Sequence, residues 1–120
     1  MSERRSILKD KSFLFAIRIV RLYQQLTEMK KEYILSKQLL RSGTAIGALV
    51  RGLQNAESSK DFIHKLGISQ KECDESIYWL ELLKATDYIN EQEFESLNNE
   101  AIELLKMLRS SIITSKQNHS

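Results

Sequence analysis

Five cations sit at spacings that could engage phosphates. Lys37 and Arg41 are one helical turn apart, and Arg51 falls within about 40° of Lys37 on a helical projection. Arg18 and Arg21 share the polar strip of the preceding segment. Cations so arranged neutralise backbone phosphates and release counterions, which gives salt-dependent affinity with little base specificity. Tyr33 is the nearest aromatic that could stack beside them. Other chemistries find less support. His64 and His119 have no cysteine or histidine at metal-ligand spacing, and the Glu-x-x-His pattern of di-metal bundles is absent. Cys73 shares a helical face with Phe62, Leu66, Ser69 and Leu80, as a buried, inert thiol does. Glu72, Asp74, Glu75 and Glu81 read as a solvated acidic face. Every glycine falls inside a helical pattern, so no loop is available to cradle phosphates. The residues therefore predict no catalytic group, no cofactor and no metal.

Net charge is only +2, but it is unevenly spread. Residues 1–51 hold eleven Lys/Arg against four Asp/Glu, whereas residues 52–120 hold seven against twelve. The basic half would attract RNA or DNA, or an acidic protein partner. Alternatively it faces the acidic half, within one subunit or across a subunit contact. A single cysteine permits no internal disulfide, and no apolar run approaches the roughly 20 residues that span a bilayer. No signal-peptide pattern follows Arg4 and Arg5, so a cytoplasmic protein with no membrane partner is expected.

The 120 residues include no proline and only four glycines, Gly43, Gly47, Gly52 and Gly67, which favours an all-α chain. Apolar spacing predicts one domain of four helices, at about 11–29, 32–53, 59–85 and 91–113, with 114–120 a frayed tail. Asp10 is the expected cap of the first, Ser58 with Asp61 of the third, and Asn90 with Glu93 of the fourth. Short connections make this an antiparallel up-and-down four-helix bundle.

The first helix is apolar around most of its girth. Phe15, Ile19, Leu22, Leu26 and Met29 gather on one side; Phe13, Ala16, Ile17, Val20 and Tyr23 gather nearly opposite. A four-helix core can cover only one of these, so the other is expected to meet a second copy. Candidate interface residues are Phe13, Ile17, Val20 and Tyr23, with Tyr33, Leu40 and Gly47 on the second helix and Trp79 on the third. Gly43 and Gly47 lie on nearly one side of the second helix and invite close approach by another helix.

Two stretches are more specific. Leu35–Ala48, with its Arg41-Ser42-Gly43-Thr44-Ala45-Ile46-Gly47 centre, and Ser58–Leu83, with its Tyr78-Trp79-Leu80 segment, resemble a bacterial family. It is the four-helix-bundle family encoded in intervening sequences of large-subunit ribosomal RNA genes. The likeness spans about Ile7 to Leu108 and implies a ring, commonly a homopentamer. It extends to the accessory variability proteins of diversity-generating retroelements, which are basic and bind nucleic acid and a reverse transcriptase. The chain departs from the pattern at Leu49 and Arg51, where an amide and an acid are usual, so roles tied to those groups do not transfer. The expectation is a non-enzymatic, homo-oligomeric scaffold or adaptor that binds nucleic acid through its basic surface. The alternative is a protein–protein interaction module with no nucleic-acid role.

Overall fold

Leucine and isoleucine recur every three or four residues through four long stretches, and each stretch is a helix. The computed structural model describes residues 3–119. Helix α1 spans Glu3–Met29, α2 Leu35–Arg51, α3 Ser59–Ala85 and α4 Glu91–His119, and a 3₁₀ turn at Gly52–Asn55 extends α2. No strand occurs among the described residues. Contacts give the directions. Ile19 lies against Gly43 and Ser12 against Gly47, while Ser76 bonds Ser42 and Ser69 bonds the Ile46 carbonyl. Cys73 meets Ala101 and Lys84 meets Glu91; Arg4 meets Thr114 and Arg18 meets Glu100. In each helix pair one number rises as the other falls. The order is therefore up, down, up, down, with α4 closing beside α1, in a rod of 48 × 22 × 20 Å.

Phe15, Ile19, Leu39, Ile46, Leu66, Leu80, Leu104 and Leu108 form the centre of the core, all fully buried. The two glycines set the spacing of α1 and α2. A Cβ on Gly43 would stand 2.9 Å from both γ-carbons of Ile19, and one on Gly47 would stand 3.2 Å from the Ser12 carbonyl oxygen. The close approach expected of this pair is thus made by α1 of the same copy. Small hydroxyls draw α2 and α3 together: the Ser76 hydroxyl donates to Ser42 Oγ at 2.9 Å, and Ser69 donates to the Ile46 carbonyl at 3.2 Å.

Three boundaries differ from the sequence expectation. Helix α1 begins at Glu3 rather than near Lys11, because buried Leu8 and Ser12 carry the inward stripe back by two turns. Asp10 is consequently an exposed residue within the helix and caps nothing. The extended α1 gives α4 a neighbour beyond Ile113, so residues 114–119 are helical rather than frayed, with Arg4 donating to the Thr114 hydroxyl at 3.2 Å. Ser120 lies outside the described residues. Helix α2 starts at Leu35, not near residue 32, and Tyr33 sits in the connection. There Lys31 adopts φ 55°, and the buried Glu32 carboxylate accepts from the N–H groups of Ile34, Leu35 and Ser36. The other caps match expectation. Ser58 Oγ accepts from the Asp61 N–H at 3.0 Å, and Asn90 Oδ1 accepts from the Glu93 N–H at 2.8 Å.

Candidate interaction surface

Arg41 extends from α2 to α3, where its guanidinium donates to Glu72 at 2.9 Å and to Glu75 at 2.5 Å. The pairing holds the Glu75 carboxyl below the usual carboxylate range, chiefly through the hydrogen bond from Arg41, and raises Arg41 in turn. Arg18 pairs with Glu100 of α4, and Lys11 with Glu103. Two of the five expected phosphate-binding cations are thereby held by carboxylates of the same chain. Arg21 and Lys37 are exposed and have no ion-pair partner among the described residues. Arg51 lies with its guanidinium carbon 5.1 Å from the Phe13 ring centre. The five cations do not converge on one patch, since Arg18 points toward α4 and Arg41 toward α3.

The outer face of α1 is the one left uncovered. Phe13 is 49% exposed, Leu14 57%, Ile17 40% and Val20 36%. Leu14, not singled out from sequence, stands on the α4 side of the helix, in a cavity with Lys11, Glu100 and Glu103. Beside the outer face, between α1 and α2, runs a groove of about 620 Å³. Phe13 and Arg51 stand at its sides, and its small lining residues include Ala16, Thr44, Gly47 and Ala48. Gly47 thus touches Ser12 within the copy and also lines this groove. Tyr23 is half-buried. Leu40 and Trp79 are half-buried and pack against the core. The Trp79 indole N–H donates to Glu75 at 3.3 Å and its ring meets Tyr78 edge-on at 5.0 Å, so it covers a bundle edge. Tyr33 is exposed in the α1–α2 connection, beside exposed Ile34.

Catalytic chemistry has little to draw on here. His64 is exposed, and the His119 side chain lies outside the described residues. The Cys73 thiol donates to the Ala101 carbonyl at 3.1 Å, and burial pushes it up to about 12, so thiolate is scarce at neutral pH. Glu72 and Glu75 are occupied by Arg41, while Asp74 and Glu81 are exposed. Among the described residues no cluster of three His, Cys, Asp or Glu is placed to hold a metal, and no helix is long and apolar enough to cross a membrane.

The model of the 23S rRNA-intervening sequence protein family matches residues 4–110. The chain belongs to this family. A second likeness agrees: a crystal structure of a protein of unknown function from the S23 ribosomal protein family of Bacteroides thetaiotaomicron VPI-5482. It is 50% identical to the chain, with a TM-score of 0.89, covering 91% of this chain and 97% of that one. No curated protein matches. For this member of the 23S rRNA-intervening sequence family, the resemblance carried by Arg41–Gly47 and Tyr78–Leu80 and the four-helix fold both stand. The family brings no assigned reaction, so function must be argued from the surfaces.

Proposed function

We propose that this protein is a non-enzymatic helical-bundle scaffold or adaptor that works as a homo-oligomer, its copies joined through the outer face of α1 and the adjoining edge of α2. One observation carries this reading: Phe13, Ile17 and Val20 stand 36–49% exposed on consecutive turns, beside a groove lined by small residues. A contiguous apolar patch of this kind marks an interaction surface in a folded protein. Covering the exposed half of each side chain contributes about 1 kcal/mol per residue. The small lining residues allow a neighbouring helix to approach closely. The assembly we favour is the closed ring of five that the family resemblance implies.

Size-exclusion chromatography with light scattering provides the test. The protein should elute at several times its 14.0 kDa monomer mass. The Phe13→Glu, Ile17→Glu double variant should elute as a helical monomer, because both positions point away from the core. A monomeric wild type at tens of micromolar would end the proposal.

A second reading, contact with RNA or DNA through the α1–α2 side, is supported by Arg21 and Lys37, which no carboxylate among the described residues neutralises. Binding to random oligonucleotides should weaken linearly with the logarithm of salt concentration. The Arg21→Glu, Lys37→Glu variant should lose that binding and still assemble. Absence of binding at low salt would leave the protein–protein module as the account of the positive charge.

A further inference from the structure

Neighbouring helices of the bundle are not closed in the same way. Glycine contacts join α1 to α2, and buried serine hydroxyls join α2 to α3. Helices α1 and α4 approach less closely, and their seam is strapped at the surface by Arg4 on Thr114, Lys11 on Glu103 and Arg18 on Glu100. Between the last two straps Leu14 stands 57% exposed, over a cavity of about 90 Å³ whose lining includes buried Leu104. Ile7, also exposed, lies two turns earlier on the same side of α1.

The α1–α4 seam and the α1–α2 groove are adjoining edges of a four-helix square, so they face roughly a right angle apart. Their heights along the rod can be compared. Ser12 of α1 lies against Gly47 of α2. That contact sets Ala16, Thr44, Gly47 and Ala48, the small lining of the groove, at the height of Leu14.

We propose that Leu14 carries the second half of the subunit contact: the α1–α4 edge of one copy docks on the α1–α2 groove of the next, seating Leu14 among the small side chains. A contact of this kind rests on the scaffold reading and supplies the face that the groove receives. A closed ring needs two different faces on every copy, because a face that pairs with itself stops at a dimer. Those faces must stand at an angle, and any rise from copy to copy would give a filament instead. Level faces on adjoining edges meet both conditions. The ion pairs on either side of Leu14 surround its apolar contact with a polar rim whose charges are already matched. All copies then point one way. The end of the rod that holds the start of α1 and the finish of α4, residues 3–11, 51–65 and 103–119, carries +5; residues 26–37 and 81–95 at the other end carry −3.

Complementation between disabled copies tests the contact. Leu14→Glu keeps the groove and loses the apolar knob, whereas the Phe13→Glu, Ile17→Glu copy keeps Leu14 and loses the groove. Each alone should be a monomer by light scattering and helical by circular dichroism. An equal mixture should form a dimer with one copy of each, near twice the 14.0 kDa of a single chain. Under mild oxidation, Leu14→Cys mixed with Ala48→Cys should cross-link about tenfold faster than either alone, because only the mixed pair brings its sulfurs within bonding reach. The native Cys73 is buried and does not compete. Leu14→Glu assembling at wild-type mass overturns the proposal. So does a mixture of disabled copies that stays monomeric, or Leu14→Cys copies that link to one another as fast as in the mixture. The scaffold reading survives each of these results, whereas a monomeric wild type ends both.

Discussion

Gly43 and Gly67 are both helix-interior glycines, yet they answer to different forces. A methyl group at Gly43 would collide with both γ-carbons of Ile19, a fully buried side chain with one stiff rotamer, whereas a methyl group at Gly67 meets nothing within 4 Å. Overpacking costs about 1–3 kcal/mol and the helical preference for alanine returns at most about 1. Gly43→Ala should therefore destabilise by about 1–2 kcal/mol, and Gly67→Ala should stabilise by about 0.5–1 kcal/mol. Urea melts of the two variants against wild type measure both, and a neutral Gly43→Ala would refute the close contact. Sequence identified the need for close approach at Gly43 and Gly47 but not the helix that makes it, because periodicity defines a face and leaves its neighbour unnamed. The partners of Arg18 and Arg41 stayed hidden for the same reason. Their faces were legible, but the carboxylates opposite stand on helices 31 to 82 residues away.

At the scale of elements, the expected caps at Ser58 and Asn90 follow local spacing rules that sequence exposes directly. The cap of α2 does not. Glu32 serves three N–H groups from before the helix, after a left-handed residue at Lys31, and no short pattern announces that geometry. Glu32→Ala should cost about 2 kcal/mol, since three donors lose a charged acceptor. Leu8 hid the start of α1 because Arg4, Arg5, Lys9 and Asp10 surround it with charge. Its near-total burial predicts a loss of about 2–4 kcal/mol for Leu8→Ala, whereas a frayed leader would show none. Denaturant midpoints at unchanged slope decide both cases.

Ion pairs between and within elements also set an acid limit. Asp61, Glu75 and Glu91 are held below the usual carboxylate range, first by hydrogen bonds from Lys65, Arg41 and Lys84 respectively. A carboxyl lowered by folding binds fewer protons in the folded chain than in the unfolded one. Its contribution is full above the unfolded value near about 4 and disappears as pH falls through the folded value. The melting temperature should hold between about pH 7 and 5 and decline below about 4. A melting temperature that climbs between pH 4 and 3 would contradict this.

For the whole molecule, sequence supplied helix number, order and the uncovered face of α1. It could not supply the distribution of charge in space. Lys11, Arg18 and Arg41 pair with acids of α3 and α4, while further cations collect where α1 starts and α4 finishes. This lengthwise polarity bears on any assembly made by joining copies side by side. If the rods stand parallel around a ring, every positive tip points the same way. The resulting disc has one side that draws polyanions and another that repels them, so it could lie on a nucleic-acid strand in only one orientation.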